Sequence, residues 1–230
     1  MSQNLLKRLI TSIVLLCLFI FINFSHQYIF IFSILIIGLI ICIEANNLFS
    51  KLLTNKNSKK NSSINTLNAN FIILNIITFS YIFFIFCNLS YEIHRSESPI
   101  FFLYIISICF FTDIGGYIFG KIIGGKKLSK ISPNKTIAGA IGSFILSIIP
   151  LIIALKFNFL DLEFNLTNII FCLLISLISQ IGDLFISLIK RKAEIKDTGN
   201  LLPGHGGILD RMDGIIFAVP FSYILINCYK

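Results

Sequence analysis

The sequence predicts an all-α protein that crosses a membrane about seven times, as a polytopic helical bundle with its N-terminus in the cytoplasm. Three observations carry this. Of the 230 residues, 56% are hydrophobic and 13% charged, whereas a soluble domain is about 45–50% apolar and about 25% charged, and the mean hydropathy is +0.88. The apolar residues fall in runs close to the about 20 that a helix needs to cross a bilayer. The charge lies between those runs and is segregated to alternate connections.

The runs cover residues 9–24, 28–43, 69–87, 100–119, 137–155, 166–189 and 214–228. The first follows Lys7 and Arg8, as a signal peptide would. No small-residue cleavage site ends it, and the second begins after only Ser25, His26 and Gln27, so the two are expected to be retained as a hairpin. Residues 51–70, rich in Asn, Ser and Lys, are expected to form a flexible cytoplasmic linker. The whole is read as a single integral membrane domain, 1–68 forming the hairpin and linker and 69–230 the helical core that carries the chemistry.

With the N-terminus inside, sixteen of the nineteen Lys and Arg fall on the cytoplasmic side, and Arg95, Lys156 and Lys230 fall outside. This is the asymmetry that orients membrane proteins. It explains the formal charge of +8 without nucleic acid, as loops facing an anionic leaflet. The six cysteines stand singly inside apolar runs, with no metal or redox spacing, and read as small core hydrophobes.

Ionisable groups inside a membrane segment are costly, by about 2.5–3.5 kcal/mol or more at the centre, and mark function or pairing. Asp113 in the fourth run either bonds a neighbouring helix or lines a water-filled cavity, while Gly115, Gly116 and Gly120 beside it read as packing glycines. In the sixth run Gln180, Asp183, Ser187 and Lys190 share one helical face. Asp183 is thus either a structural carboxylate paired with Lys190 or a metal ligand in a cytoplasmic cavity. Beyond Arg191 come turn-formers and the segment Gly204, His205, Gly206, Gly207, whose backbone N–H groups can approach an anion closely. Asp210 and Asp213 follow three apart at the start of the last helix. They either complement its dipole or, with Asp183, form a cage for a hard cation such as Mg²⁺. In the loop after the fourth run, Ser132, Pro133, Asn134, Lys135 and Thr136 precede a helix, an arrangement suited to phosphate. The P-loop spacing is absent.

These residues resemble the bacterial phosphatidate cytidylyltransferases. The family signature S-x-x-K-R-x4-K-D-x-G-x2-L-P-x-H-G-G-x-x-D-R-x-D is matched in register by Ser187, Lys190, Arg191, Lys196, Asp197, Gly199, Leu202, Pro203, His205, Gly206, Gly207, Asp210, Arg211 and Asp213. The blocks from Ser132 to Thr136 and from Gln180 to Asp183 are also similar, so the resemblance covers about half the chain. It departs from the family at Ile137 and Ala138, where members often carry an aromatic and an acid. It departs also in span number, since eight or nine would be expected and the shortfall is placed at the N-terminal side.

The resemblance implies the reaction of CTP with phosphatidate to give CDP-diacylglycerol and pyrophosphate, at the bacterial inner membrane with the site facing the cytoplasm. It implies Mg²⁺ held by Asp183, Asp210 and Asp213, with Lys190, Arg191, Lys196, Asp197, His205 and Arg211 as further catalytic residues. Ser132, Lys135, Thr136, Ser187, Gly206, Gly207 and Asp113 are implied in substrate binding. The partners are CTP and the lipid, not nucleic acid, and a homodimer is left open. Two rivals are weighed. A channel would need charge in the outer halves of the spans, which is missing. A CTP-dependent kinase of lipid alcohols would need a base for the hydroxyl, and the intact signature disfavours it.

The charge asymmetry makes a topological prediction. In a cysteine-free background, a cysteine placed within 51–70 is labelled only from the cytoplasmic side and one at Ser96 only from outside. Outside labelling of the first would overturn the orientation.

Overall fold

In a computed structural model of the chain, the described residues are 3–59, 64–128, 132, 135–201 and 206–229. Among them every regular element is helical, apart from one isolated antiparallel β-bridge between Lys127 and Thr136. The α-helices are α1 (Gln3–Phe24), α2 (Gln27–Lys59), α3 (Ile64–Ser80), α4 (Asn88–Ser96), α5 (Pro99–Ile122), α6 (Ile137–Leu146), α7 (Ile149–Phe157), α8 (Leu166–Lys192), α9 (Leu209–Met212) and α10 (Ile215–Tyr229), and a π-helical stretch, Tyr81–Cys87, joins α3 to α4.

Among the described residues, five helical runs are long and apolar enough to cross a membrane: Gln27–Thr54, Ala69–Ser96, Pro99–Ile122, Ile137–Phe157 and Leu166–Lys192. The first and seventh expected spans correspond to the shorter apolar stretch Ile13–Phe24 of α1 and to the 15-residue α10. Large apolar side chains such as Tyr28, Phe32, Phe84 and Ile122 are exposed, as lipid-facing residues are and as a water-facing surface rarely is. The protein is a multi-pass membrane protein.

The chain divides into two compact units. One comprises Met1–Tyr91 and Ile189–Met212. In it α2 is longer than its apolar run, because Ile41, Ala45, Leu48, Phe49 and Leu53 continue one buried face at helical spacing. The expected linker at 51–70 is therefore helical at 51–59 and again from 64, and residues 60–63 lie outside those described. Gly38 of α2 leaves room for the π-helical stretch: a Cβ there would lie 2.9 Å from Cys87 Sγ and 3.1 Å from Ile82 Cγ2. After Lys192 the chain leaves α8 through Glu194, which takes the left-handed conformation (φ 58°). The N–H of Ile195 then bonds the Lys190 carbonyl at 3.0 Å, the closing bond of a helix C-cap.

The other unit comprises Glu92–Leu188 and Asp213–Lys230. The α5 helix starts with Pro99, and the Ser98 hydroxyl accepts the Phe101 N–H at 3.0 Å, the cap that orphan N–H groups of a helix start require. Close backbone contact packs α5 against α6, since a Cβ at Gly115 would lie 2.5 Å from the Gly142 carbonyl oxygen. A second close crossing joins α8 to the start of α10. A Cβ at Gly182 would lie 2.8 Å from the Asp213 carbonyl oxygen, and one at Gly214 would lie 2.4 Å from Ser179 Oγ. This crossing sets Asp183 and Asp213 one residue from the contact on neighbouring elements.

Candidate functional site

Two lysine–aspartate pairs, one in each unit, organise the residues that the sequence singles out. In the second unit the pair is Lys135 with Asp183. The connection from α5 to α6 turns at Gly124 and Gly125, both with positive φ (64° and 89°), which residues with a Cβ seldom adopt. It then folds back on itself: the Ile137 N–H bonds the Lys126 carbonyl at 3.0 Å and the Leu128 N–H bonds the Lys135 carbonyl at 2.8 Å. Thr136 ends the hairpin as the cap of α6, its hydroxyl oxygen accepting the Gly139 N–H at 3.0 Å. Lys135, held between these contacts, donates its ammonium to Asp183 Oδ2. Asp183 Oδ1 accepts the Ser187 hydroxyl at 3.2 Å, one helical turn on. Side-chain exposures of 29% for Lys135 and 26% for Asp183 leave this pair open to a ligand.

In the first unit Lys190 does not pair with Asp183, the structural alternative that helical spacing offered. Its ammonium donates to Asp210 Oδ1 at 2.8 Å, with side-chain exposures of only 14% and 7%. Asp210 Oδ2 accepts the N–H of Thr198 at 2.8 Å, the N–H of Gly207 at 3.0 Å and lies 3.1 Å from the Thr198 hydroxyl. Burial pushes the Asp210 carboxyl up. The Lys190 hydrogen bond, the Thr198 and Gly207 N–H groups and the Lys190 charge outweigh it and hold the carboxyl below its usual range. The folded value is the lower one. Its stabilisation is therefore present above the unfolded value of about 3.9 and is lost as pH falls through the folded value.

One residue that the sequence reading passed over completes this loop. Glu44 of α2 is 5% exposed. Its Oε1 accepts the Ile208 N–H at 3.0 Å, and its Oε2 accepts the Leu209 N–H at 2.8 Å and lies 3.0 Å from the Thr198 hydroxyl. The anion that the glycine-rich turn was expected to cradle is thus supplied, for the N–H groups of 207 to 209, by the chain's own Asp210 and Glu44. The available signal was position: Glu44 is the sole acid before Glu92 and sits at the end of an apolar run.

Of the other expected residues, Arg191, Lys196, Asp197 and Arg211 are exposed, as is Asp113 on α5. Ser132 is half-buried, Gly206 takes a positive φ of 86°, and Asp213 is half-buried with its Oδ1 accepting the Gly214 N–H at 3.0 Å. His205 lies outside the described residues. Among those described, no three His, Cys, Asp or Glu side chains gather into a ready metal cluster. The donors suit a hard cation in kind: Asp183 already holds a cation, the Lys135 ammonium, at a partly open carboxylate, and oxygen ligands are what Mg²⁺ prefers. Asp210 has less to offer, since the Lys190 ammonium and the Thr198 and Gly207 N–H groups already hold it.

The Cytidylyltransferase family model matches residues 48–229. A phosphatidate cytidylyltransferase of Staphylococcus haemolyticus is 46% identical over 137 residues, 57% of this chain and 51% of that protein. Those of Staphylococcus epidermidis and Staphylococcus aureus are 43% identical over 135 residues and 45% over 134, with the same shares. The chain spans about half the length of the curated relatives it matches.

The two pairs differ in burial and so in cost. Lys190→Met is expected to lower stability by about 3 kcal/mol, since it strands a buried carboxylate. Lys135→Met is expected to cost about 1 kcal/mol or less, the range of exposed pairs. Thermal unfolding of the purified variants reads the order, and equal losses would contradict the assignment.

Proposed function

The chain belongs to the cytidylyltransferase family, and from that premise we propose that it joins CTP and phosphatidate to give CDP-diacylglycerol and pyrophosphate. The observation that best supports this is the pairing of Lys135 with Asp183: a hairpin brings a phosphate-binding type of cation onto a carboxylate at the end of an apolar helix. The names of the relatives support the choice of substrates.

In the proposed reaction an oxygen of the phosphatidate phosphate attacks the α-phosphorus of CTP. One P–O bond forms as the bond to the β-phosphate's bridging oxygen breaks, and its electron pair leaves with pyrophosphate. The nucleophile is already anionic and needs no strong base. The burden falls on placing two polyanions in line and on neutralising the leaving charge. Lys135 is proposed to leave Asp183 for a substrate phosphate, with Ser132 beside it in the hairpin, while Thr136 keeps the hairpin in shape through its cap. Lys190, Arg191 and Lys196 are proposed as further phosphate contacts at the end of α8. Mg²⁺, when bound, supplies charge neutralisation at the phosphates. Asp183 and Asp213, which share a unit, are the carboxylates proposed to hold it; Asp210, the third expected ligand, lies in the other unit and is held by Lys190. The exchange would keep charge balanced, because each protein charge would change partner rather than lose one. The proposal places this chemistry on the cytoplasmic face of a bacterial inner membrane, where the lysine-rich loops are expected, and does not require a homodimer.

Lys135→Ala is expected to lose at least about tenfold in kcat/KM for CDP-diacylglycerol formation, as a desolvated charge-assisted contact is worth about 1.5–3 kcal/mol. Lys126→Ala and Lys127→Ala, exposed neighbours in the same hairpin, should change little. A structural pairing makes a different forecast: Asp183→Asn combined with Lys135→Met would then restore activity lost in the singles. The double variant is expected to stay inactive, and recovery of turnover would sink the assignment of both residues.

A further inference from the structure

We propose that Glu44 is a positioning residue for the reaction: its buried carboxylate, delivered by α2, ties Thr198 to Ile208 and Leu209 in the arrangement that holds Asp210 and Lys190. The inference rests on the reaction proposed above and adds to it a residue outside the signature, 154 positions from Thr198 in sequence.

The geometry argues for a carboxylate and nothing else at this position. Among the described residues, the groups that bond the Glu44 oxygens are donors: the N–H of Ile208, the N–H of Leu209 and the hydroxyl of Thr198. A glutamine would aim its NH₂ at one of these donors and strand it in a buried place, at the full cost of an unpaired polar group. The glycines of the turn fit the same reading. A Cβ at Gly199 would lie 2.6 Å from Glu44 Oε1, and one at Gly207 would lie 2.3 Å from Oε2. These two signature glycines therefore make room for an internal carboxylate.

The turn links this carboxylate to Asp210 in two ways. Successive N–H groups are divided between the two acids, Gly207 donating to Asp210 and Ile208 and Leu209 to Glu44. The peptide planes of 207 to 209 cannot tilt toward one acid without leaving the other. The Thr198 hydroxyl, 5% exposed at its residue, lies 3.0 Å from Glu44 Oε2 and 3.1 Å from Asp210 Oδ2. It has one hydrogen and serves one acid at a time. Whatever draws Asp210 toward a ligand hands that hydrogen to Glu44, so Glu44 keeps the turn closed while Asp210 changes partner.

The test uses the full chain in lipid nanodiscs, as wild type, Glu44→Gln, Thr198→Val and the double variant. Hydrogen exchange is followed in peptides covering 197–212, with α5 as the reference. Glu44→Gln is expected to speed exchange in 197–212 about tenfold or more while α5 is unchanged. In the assay with CTP and phosphatidate it is expected to lower kcat about tenfold with KM for phosphatidate held within about twofold. The double variant should lose no more than the worse single, because both changes open one clamp, whereas unconnected damage multiplies. Unchanged exchange in 197–212, or losses that multiply, overturns the proposal. Exchange needs no substrate, so a wild type that turns nothing over would refute the reaction and leave the exchange result to judge whether Glu44 builds the turn. Should Glu44→Gln fail to insert, Gly207→Ala, which drives a methyl onto the same carboxylate from the turn side, must produce the same local loss, and a protected turn in that variant contradicts the inference.

Discussion

A carboxylate buried in an apolar helical protein has no water to fall back on, and each of its lone pairs must find a donor within the chain. Two acids here meet that demand, Asp210 with Lys190 and the turn and Glu44 with the turn, while the partly exposed Asp183 pairs with Lys135 and Ser187. Much of the local structure around them follows. The α5–α6 hairpin, shaped by its glycine turn and cross-bonds, carries Lys135 to Asp183. The segment after α8 curls back because Asp210 and Glu44 together accept the hydroxyl of Thr198 and the N–H groups of Thr198, Gly207, Ile208 and Leu209. Removing one partner of the enclosed Lys190–Asp210 pair costs about 3 kcal/mol, a large fraction of a typical domain's stability.

The same constraint bears on the proposed chemistry. A site that handles polyanions with a hard cation needs both signs of charge in place before the substrate arrives, and a membrane setting makes isolated charges too costly to keep waiting. Pairing them internally resolves the conflict. The pairs are not equal: the partly open Lys135–Asp183 pair can exchange partners at modest cost, while the Lys190–Asp210 pair is enclosed and further braced by Thr198 and Gly207. The first is the more open pair, and the second is part of the hydrogen-bonded turn in this structure.

The helices were legible in the sequence because the signal for them is local. Apolar run length and charge placement decide where a helix crosses, and the five long runs fall where those signals put them. The polar 51–59 segment has the composition of a loop, yet it is helical, continuing a face on which Leu48, Phe49 and Leu53 are buried, which composition does not reveal. The site was legible as a set of residues and not as a set of pairs. Helical spacing set Asp183 and Lys190 on one face, yet the lysine that reaches Asp183 comes from 48 positions away, and Lys190 turns to Asp210, 20 positions on. Glu44 was missed for the same reason. A lone acid at the end of an apolar run carries no spacing pattern, and its partners lie more than 150 positions along the chain. The turn glycines were read as letting N–H groups approach an anion, and nothing in their spacing could say that the N–H groups of 207 to 209 bond carboxylates of the chain itself.

The central claim, that the chain transfers the cytidylyl group to a phosphate-bearing lipid, is tested most directly by following the label from CTP. Purified protein is given phosphatidate or a long-chain lipid alcohol, with CTP labelled at either the α- or the γ-phosphate. The account predicts that α-label enters lipid only with phosphatidate, while γ-label leaves entirely in pyrophosphate. Appearance of γ-label in the lipid alcohol would mean phosphoryl transfer by a kinase, and would contradict it.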